Sequence, residues 1–242
     1  MPFTFSHPAI ILPLAKASKR WFSLTGLIVG SVIPDFEYFL RMRVLSLYSH
    51  TLPGLLWFNI PVGIAIAFIF HGIVRNSLIN NLPSFLAYRF SSYKGLDWSY
   101  YFKQHNLVVV ISILNGAGSH LAWDSFTHES GTMVETITVL QRTVLIAGKE
   151  VPMFKLLQHG SSLVGALAII FTVLSLPVLP FKKIGNRWYW IIVAIVTALI
   201  LTLRVATGLA LTQYGNVIVT GISGVMIGLV VASMFKAISF KR

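Results

Sequence analysis

Asn106-Leu-Val-Val-Val-Ile-Ser-Ile-Leu-Asn-Gly-Ala-Gly-Ser-His-Leu-Ala-Trp-Asp-Ser-Phe-Thr-His128 is the stretch on which the reading of the fold depends. Its first part is an uncharged apolar run of the kind that crosses a bilayer. Its last part carries His120, Asp124 and His128 at a spacing of four. Residues four apart share one face of an α-helix, one turn above the next. An apolar helix therefore emerges into a row of two imidazoles and a carboxylate, the donor types of hydrolytic zinc sites. A carboxylate at the centre of a membrane helix costs roughly 2.5–3.5 kcal/mol on insertion scales, and such residues are functional by default.

The remainder of the chain is equally apolar. Of 242 residues, 55% are hydrophobic and 11% charged, and the mean hydropathy is +0.77; soluble domains carry about 25% charge. A span needs about 20 largely apolar residues. Charge-free runs predict membrane helices near 55–74, 107–123, 160–180, 188–208 and 216–235. The expected fold class is all-α: a polytopic bundle of about five membrane helices.

Met1-Pro2-Phe3-Thr4 lacks the basic start and long apolar core of a cleavable signal peptide. The absence of cysteine removes disulfides and thiolate ligands. The formal charge of +12 does not indicate nucleic-acid binding. The basic residues flank the predicted spans, as they do beside anionic headgroups, and form no face on a soluble module.

Trp21 to Pro34 is uncharged but too short for a span, so it reads as a buried helix stopped by Pro34. Asp35 and Glu37 follow in the break, where interrupted helices line sites at membrane depth. Residues 84–106 mix aromatics with cations and read as an interfacial segment. Residues 129–159 are the most polar stretch; the β-branched Thr136–Ile146 part suggests a short strand pair turning near Gly148-Lys149.

Every acid and histidine lies in residues 1–160, so this part is expected to hold the chemistry. Residues 161–242 read as a three-helix anchor, the two parts forming one integrated domain. Gly221, Gly224 and Gly228 carry the small-residue spacing that lets helices approach closely. Packing within the chain is favoured there over an oligomer contact. Lysines and arginines in loop 181–187 and the C-terminal tail assign both to the cytoplasm. Counting spans from them puts 123–159 and the segment before residue 55 outside, so the candidate ligands gather at one end, near the outer face.

Beside His120, Asp124 and His128, further donors are Asp35 in Pro-Asp-Phe-Glu37, His50 in Ser49-His-Thr-Leu-Pro-Gly54, His7 in Phe5-Ser-His-Pro8 and His159 in Gln158-His-Gly-Ser-Ser162. A hydrogen-bonded polar network or proton relay would use the same residue types. His71 and His105 have no acidic neighbour and are assigned structural roles.

In order, His7, Asp35, His50, His120-x-x-x-Asp124, His128 and His159 resemble the zinc-dependent phospholipase C superfamily, in particular its prokaryotic inner-membrane hydrolase branch. Phe5-Ser-His-Pro-Ala9, Gly30-Ser-x-x-Pro-Asp-Phe-Glu37 and Ser49-His-Thr-Leu-Pro-Gly54 resemble the DUF4184 family within it. The resemblance covers about residues 1–165 and implies an all-α zinc-hydrolase core. It makes His50, His120 and Asp124 ligands of a first zinc, with Asp124 bridging to a second zinc held also by His7. Asp35 would be the carboxylate that orients or deprotonates the attacking water. His128 and His159 would hold the remaining zinc. Two features depart from the pattern. Leu163 stands where an acid would follow His159, and Met1-Pro2 replaces a terminal tryptophan ligand. One or two Zn²⁺ ions are therefore expected rather than three, with Glu37 available as a substitute acid.

The expected function is hydrolysis of a phosphoester in a lipid or lipid-linked substrate, at the cytoplasmic membrane of a prokaryote. The alternative is a membrane metal-binding or proton/metal-coupled transport protein, which would need polar residues along a path to both faces.

Overall fold

The computed structural model describes residues 4–15 and 21–239. Met1 and Pro2, and Lys241 and Arg242 of the basic tail, on which readings above rest, lie outside the described residues. The chain is mostly helical. In order, the elements are α1 (Pro8–Ala15), α2 (Leu24–Val32), a 3-10 turn Ile33–Asp35, α3 (Phe36–Arg41), α4 (Leu52–Asn81), α5 (Ser84–Phe90) and α6 (Trp98–Thr127). Then follow α7 (Thr132–Thr136), α8 (Thr138–Gln141), strands β1 (Thr143–Ile146) and β2 (Lys149–Pro152), α9 (Met153–Leu174), α10 (Tyr189–Ala206) and α11 (Tyr214–Ser239). Helix α4 holds two π-helical segments, Leu55–Asn59 and Phe70–Val74, and α6 is kinked at His105. Among the described residues, five helices are long and apolar enough to cross a membrane, which makes this an integral membrane protein by length and composition.

Helix ends differ from the hydropathy reading where polar residues continue a helix beyond its apolar core. Helix α9 starts at Met153, after Pro152 at its N-cap, so His159 lies inside the helix and does not open it. The strand pair is shorter and later than Thr136–Ile146. Thr138–Gln141 is helical, and β1 pairs antiparallel with β2 through a turn in which Ala147 and Gly148 both have positive φ.

The chain forms two compact units that interleave in sequence. One comprises Met1–Asp35, Tyr48–Ile64 and Asn106–Ser175; the other comprises Phe36–Leu47, Ala65–His105 and Leu176–Arg242.

In the first unit, α2 and α6 touch backbone to backbone. A Cβ on Gly30 would stand 2.3 Å from the Ile113 carbonyl oxygen, and one on Gly116 2.5 Å from that of Leu27. Gly26, one turn before Gly30, meets Ser112 in the same way. Small residues drive close helix contact in lipid, where no hydrophobic force separates helix from solvent. Ser23 caps α2, its hydroxyl accepting from the Gly26 N–H.

In the second unit, α10 and α11 pair through Gly224 and Gly228, whose Cβ positions would press on Thr197 and Val193. The small-residue spacing of the last helix is thus used inside the chain. Glu37 is buried in the 36–47 turn, where its carboxylate accepts from the Arg41 guanidinium, Ser46 Oγ and the Leu47 N–H. That turn rests on one end of the helix pair. Ser223 Oγ donates to the Phe39 carbonyl and Arg204 to that of Met42. The basic loop rests at the other end: the Asn186 N–H donates to Asn81 Oδ1 and Trp190 Nε1 to the Asn81 carbonyl.

Candidate metal centre

All the side chains that gather at the centre belong to the first unit. The α2–α6 contact delivers His120 to the Ser31 carbonyl, 2.7 Å from its Nδ1. A carbonyl only accepts, so Nδ1 carries a proton and Nε2 is the nitrogen turned inward. Orienting a ligating imidazole through its second nitrogen is the usual device of metal sites. Pro34 ends α2, and the 3-10 turn it starts places Asp35, 3% exposed, beside the α6 row. Thr4 Oγ1 donates to Asp35 Oδ2, which leaves Oδ1 facing the imidazoles. His50 lies on the segment before α4, its Nδ1 3.1 Å from Ser49 Oγ. Fully buried Asn59, in the first π-helical segment, donates to the Ser49 carbonyl and holds that segment in place.

Asp124 stands at the centre. Its Oδ2 is 3.3 Å from His120 Nε2 and 3.6 Å from His50 Nε2. Its Oδ1 is 3.6 Å from His7 Nε2 and 3.5 Å from His128 Nδ1. Asp35 Oδ1 joins the first pair of imidazoles, 3.4 Å from His50 and 3.7 Å from His120. Two donor groups result, His7–His120–Asp124 and Asp35–His50–His120, each with its atoms within 4.8 Å of one another.

These separations fit a cation better than a hydrogen-bonded network. Two donors about 2.0–2.1 Å from a tetrahedral zinc lie roughly 3.3 Å apart. Hydrogen bonds of this kind would be about 2.7–2.9 Å. The buried atoms His7 Nδ1 and Nε2, His120 Nε2 and Asp124 Oδ1 have no hydrogen-bond partner. Leaving such groups unpaired in a dry interior costs about 1–3 kcal/mol each. The chemistry of the donors, three imidazoles and two carboxylates without sulfur, suits Zn²⁺. On all three counts the residues fit a metal ion.

The electrostatics agree. Burial, followed by the neighbouring His120, pushes the His7 imidazole down to about 4, so it is neutral near pH 7, as a ligand must be. The His7 and His120 rings stack with centroids 3.8 Å apart, which two imidazolium ions would resist. Burial alone would raise the Asp35 carboxyl, but the facing imidazoles of His120 and His50 outweigh it and hold the group well below the usual carboxylate range. Burial opposes protonation of His50, and Asp124 and Asp35 overcome it, so its pKa rises. The cluster draws positive charge to itself.

His7, Asp35, His50, His120, Asp124 and His128 are therefore brought together. His128 sits at the rim with Nδ1 also 3.2 Å from the Asp124 carbonyl. Glu37 and His159 join neither donor group: Glu37 is held by its own turn, and His159 is exposed on α9. Of the two histidines assigned structural roles, His71 stacks on Trp98 and contacts the Arg75 guanidinium. Thr4, Ser31 and Ser49 were not read from the sequence as site residues. The pointers available were the Gly26-x-x-x-Gly30 spacing and the small run Gly116-Ala-Gly-Ser119 before His120.

Residues 1–234 match the family model of a domain of unknown function, DUF4184. No curated protein and no solved structure matches the chain.

Proposed function

Since the chain belongs to the DUF4184 family, whose description names no activity, we propose from the chemistry of the cluster that it is a membrane-embedded, metal-dependent hydrolase. Its substrate is a phosphoester of a lipid or lipid-linked molecule. The observation that carries this reading is Asp124, whose two oxygens face different imidazoles, as a carboxylate shared by two cations would. His50, His120, Asp124 and His7 would hold the metal, one or two Zn²⁺ ions, with Asp35 and His128 completing the set.

Bound zinc lowers the pKa of its water to about 7 and neutralises phosphoryl charge. Asp35, kept ionised, is positioned to accept a proton from the attacking water or to orient it, while Thr4 fixes its second oxygen. His120, held by the Ser31 carbonyl, keeps Nε2 turned inward. His50 and His128, the more exposed members, mark the side open to substrate. The superfamily likeness of the ordered ligands supports phosphoester chemistry, and the apolar helices around the site support a lipidic substrate. The span count from basic loops favours the outer face of a prokaryotic cytoplasmic membrane.

Elemental analysis of the purified protein tests this directly. Roughly one or two zinc ions per chain are expected, with hydrolysis of a phospholipid or lipid phosphate that a chelator abolishes and zinc restores. Metal-free protein, or metal-loaded protein that cleaves no lipid phosphomonoester or diester, would turn the reading towards binding or transport. A cysteine introduced at Ser130, in this cysteine-free chain, should react in intact cells with a reagent that cannot cross the membrane. Protection there would move the site to the inner face.

A further inference from the structure

We propose that a groove between α1, α9 and Trp123 seats a single hydrocarbon chain of the substrate and brings its phosphoester to the cluster from the side. The proposal rests on the hydrolase reading above and adds the position and chemistry of a binding site. The groove has a volume of about 280 Å³. Ile10 of α1, Trp123 of α6, Val164, Gly165 and Ala168 of α9, and His7 line it. His7 belongs to both places: it lines the groove, and its Nε2 is 3.6 Å from Asp124 Oδ1. A molecule lying in the groove therefore touches a residue of the donor group that contains Asp124.

The groove offers a ligand little but apolar contact. Its hydroxyls are already engaged. Ser6 Oγ donates to the Ser162 carbonyl, and Ser161 and Ser162 both donate to that of Gln158. The Trp123 indole N–H donates to Ser161 Oγ. With its hydroxyls and indole N–H spent and no charged side chain in its walls, the groove suits no headgroup; an alkyl or isoprenoid chain matches it. Two small residues on α9 shape it. A Cβ on Gly165 would stand 2.9 Å from the Ser6 carbonyl, so glycine there lets the N-terminal segment lie against the helix. Ala168 lines the groove with a single methyl group. The outward face of α9, with Val164 and Phe171 exposed, belongs to a candidate span and meets lipid. A chain thus enters from the bilayer without leaving hydrocarbon.

The test uses the full chain, zinc-loaded, in phosphatidylcholine nanodiscs with a phospholipid carrying a diazirine near the end of one acyl chain. Adducts are expected to concentrate on the peptides bearing Ile10, Trp123 and Ala168. Ala168→Trp should lower adducts at Ile10 and Trp123 by about tenfold, since excluding even two methylenes from a dry groove is worth that factor. Unchanged zinc content and unchanged adducts on α10 report that the variant is folded. Dodecyl phosphate should displace the probe where inorganic phosphate does not. Adducts spread evenly over the lipid-facing helices and indifferent to Ala168→Trp would overturn the groove, even if lipid phosphoesters are cleaved. Concentrated adducts displaced by dodecyl phosphate, with no phosphoester cleaved, would uphold the groove and remove the hydrolase reading instead.

Discussion

Asp35 is the residue on which two chemical roles meet. Its Oδ1 lies among the donors while its Oδ2 is held by Thr4. If it acts as general base, Asp35→Asn should keep zinc and lose about 10²–10⁴-fold in turnover. His120→Ala and Asp124→Ala should instead lose zinc, because each removes a donor that faces two others. Zinc per chain and lipid-phosphate turnover in the three variants separate the cases, and equal zinc loss in all three makes Asp35 a ligand. At this scale the sequence revealed much of the cluster, because acids and histidines in apolar sequence are scarce and costly. It could not reveal that Glu37 is spent on Arg41, Ser46 and Leu47, since neighbours in the fold, not spacing in the chain, decide which carboxylate is free. It was equally silent on Thr4, Ser31 and Ser49, whose hydroxyls and carbonyls are common everywhere and gain meaning only from a partner.

The element that matters most is α2. Its glycine face admits α6 so closely that any side chain at Gly30 meets the Ile113 backbone. Gly30→Ala should destabilise the protein by about 1–3 kcal/mol, as overpacking does. By drawing the Ser31 carbonyl away from His120, it should also weaken zinc binding by about 10–100-fold, the usual effect of losing an orienting partner. Gly221→Ala, whose Cβ would meet open space, is the control and should change neither. Thermal unfolding and zinc titration of the two variants check this; equal behaviour would remove the close contact from the account of the site. The helices themselves could be read from charge-free runs, and Pro34 marked the end of α2. Their true ends could not, because α4 and α9 extend through polar residues that packing tolerates and hydropathy does not count. The strand pair was anticipated in kind but displaced, since Thr138–Gln141 is β-branched at only two positions and turns helical.

For the molecule as a whole, the two compact units cut across the boundary near residue 160 that composition suggested, each taking three stretches of chain. Within the second unit, the basic loop and the 36–47 turn occupy opposite ends of α10 and α11, which makes a topological prediction. Single cysteines at Asn186 and Gln213 should label from opposite faces of sealed vesicles with an impermeant reagent, because one span, α10, separates them. Labelling from one face would mean that α10 does not cross.

Ser6 donates to the Ser162 carbonyl, 156 residues further along the chain, and His7 meets Asp124. The bond has a consequence in time. A ribosome adding about 5–20 residues per second needs roughly 8–30 seconds to make that intervening chain. Throughout that interval the start of the protein has been made and the α9 side of its docking place has not. The apolar helix α1 has only α2 to rest on while two candidate spans, α4 and α6, are made, and the arrival of α9 completes its surroundings. Docking of the N-terminal segment against α9 is thus a late event of biogenesis. A nascent chain arrested near residue 150 should leave α1 more open to protease than one arrested after α9 has emerged.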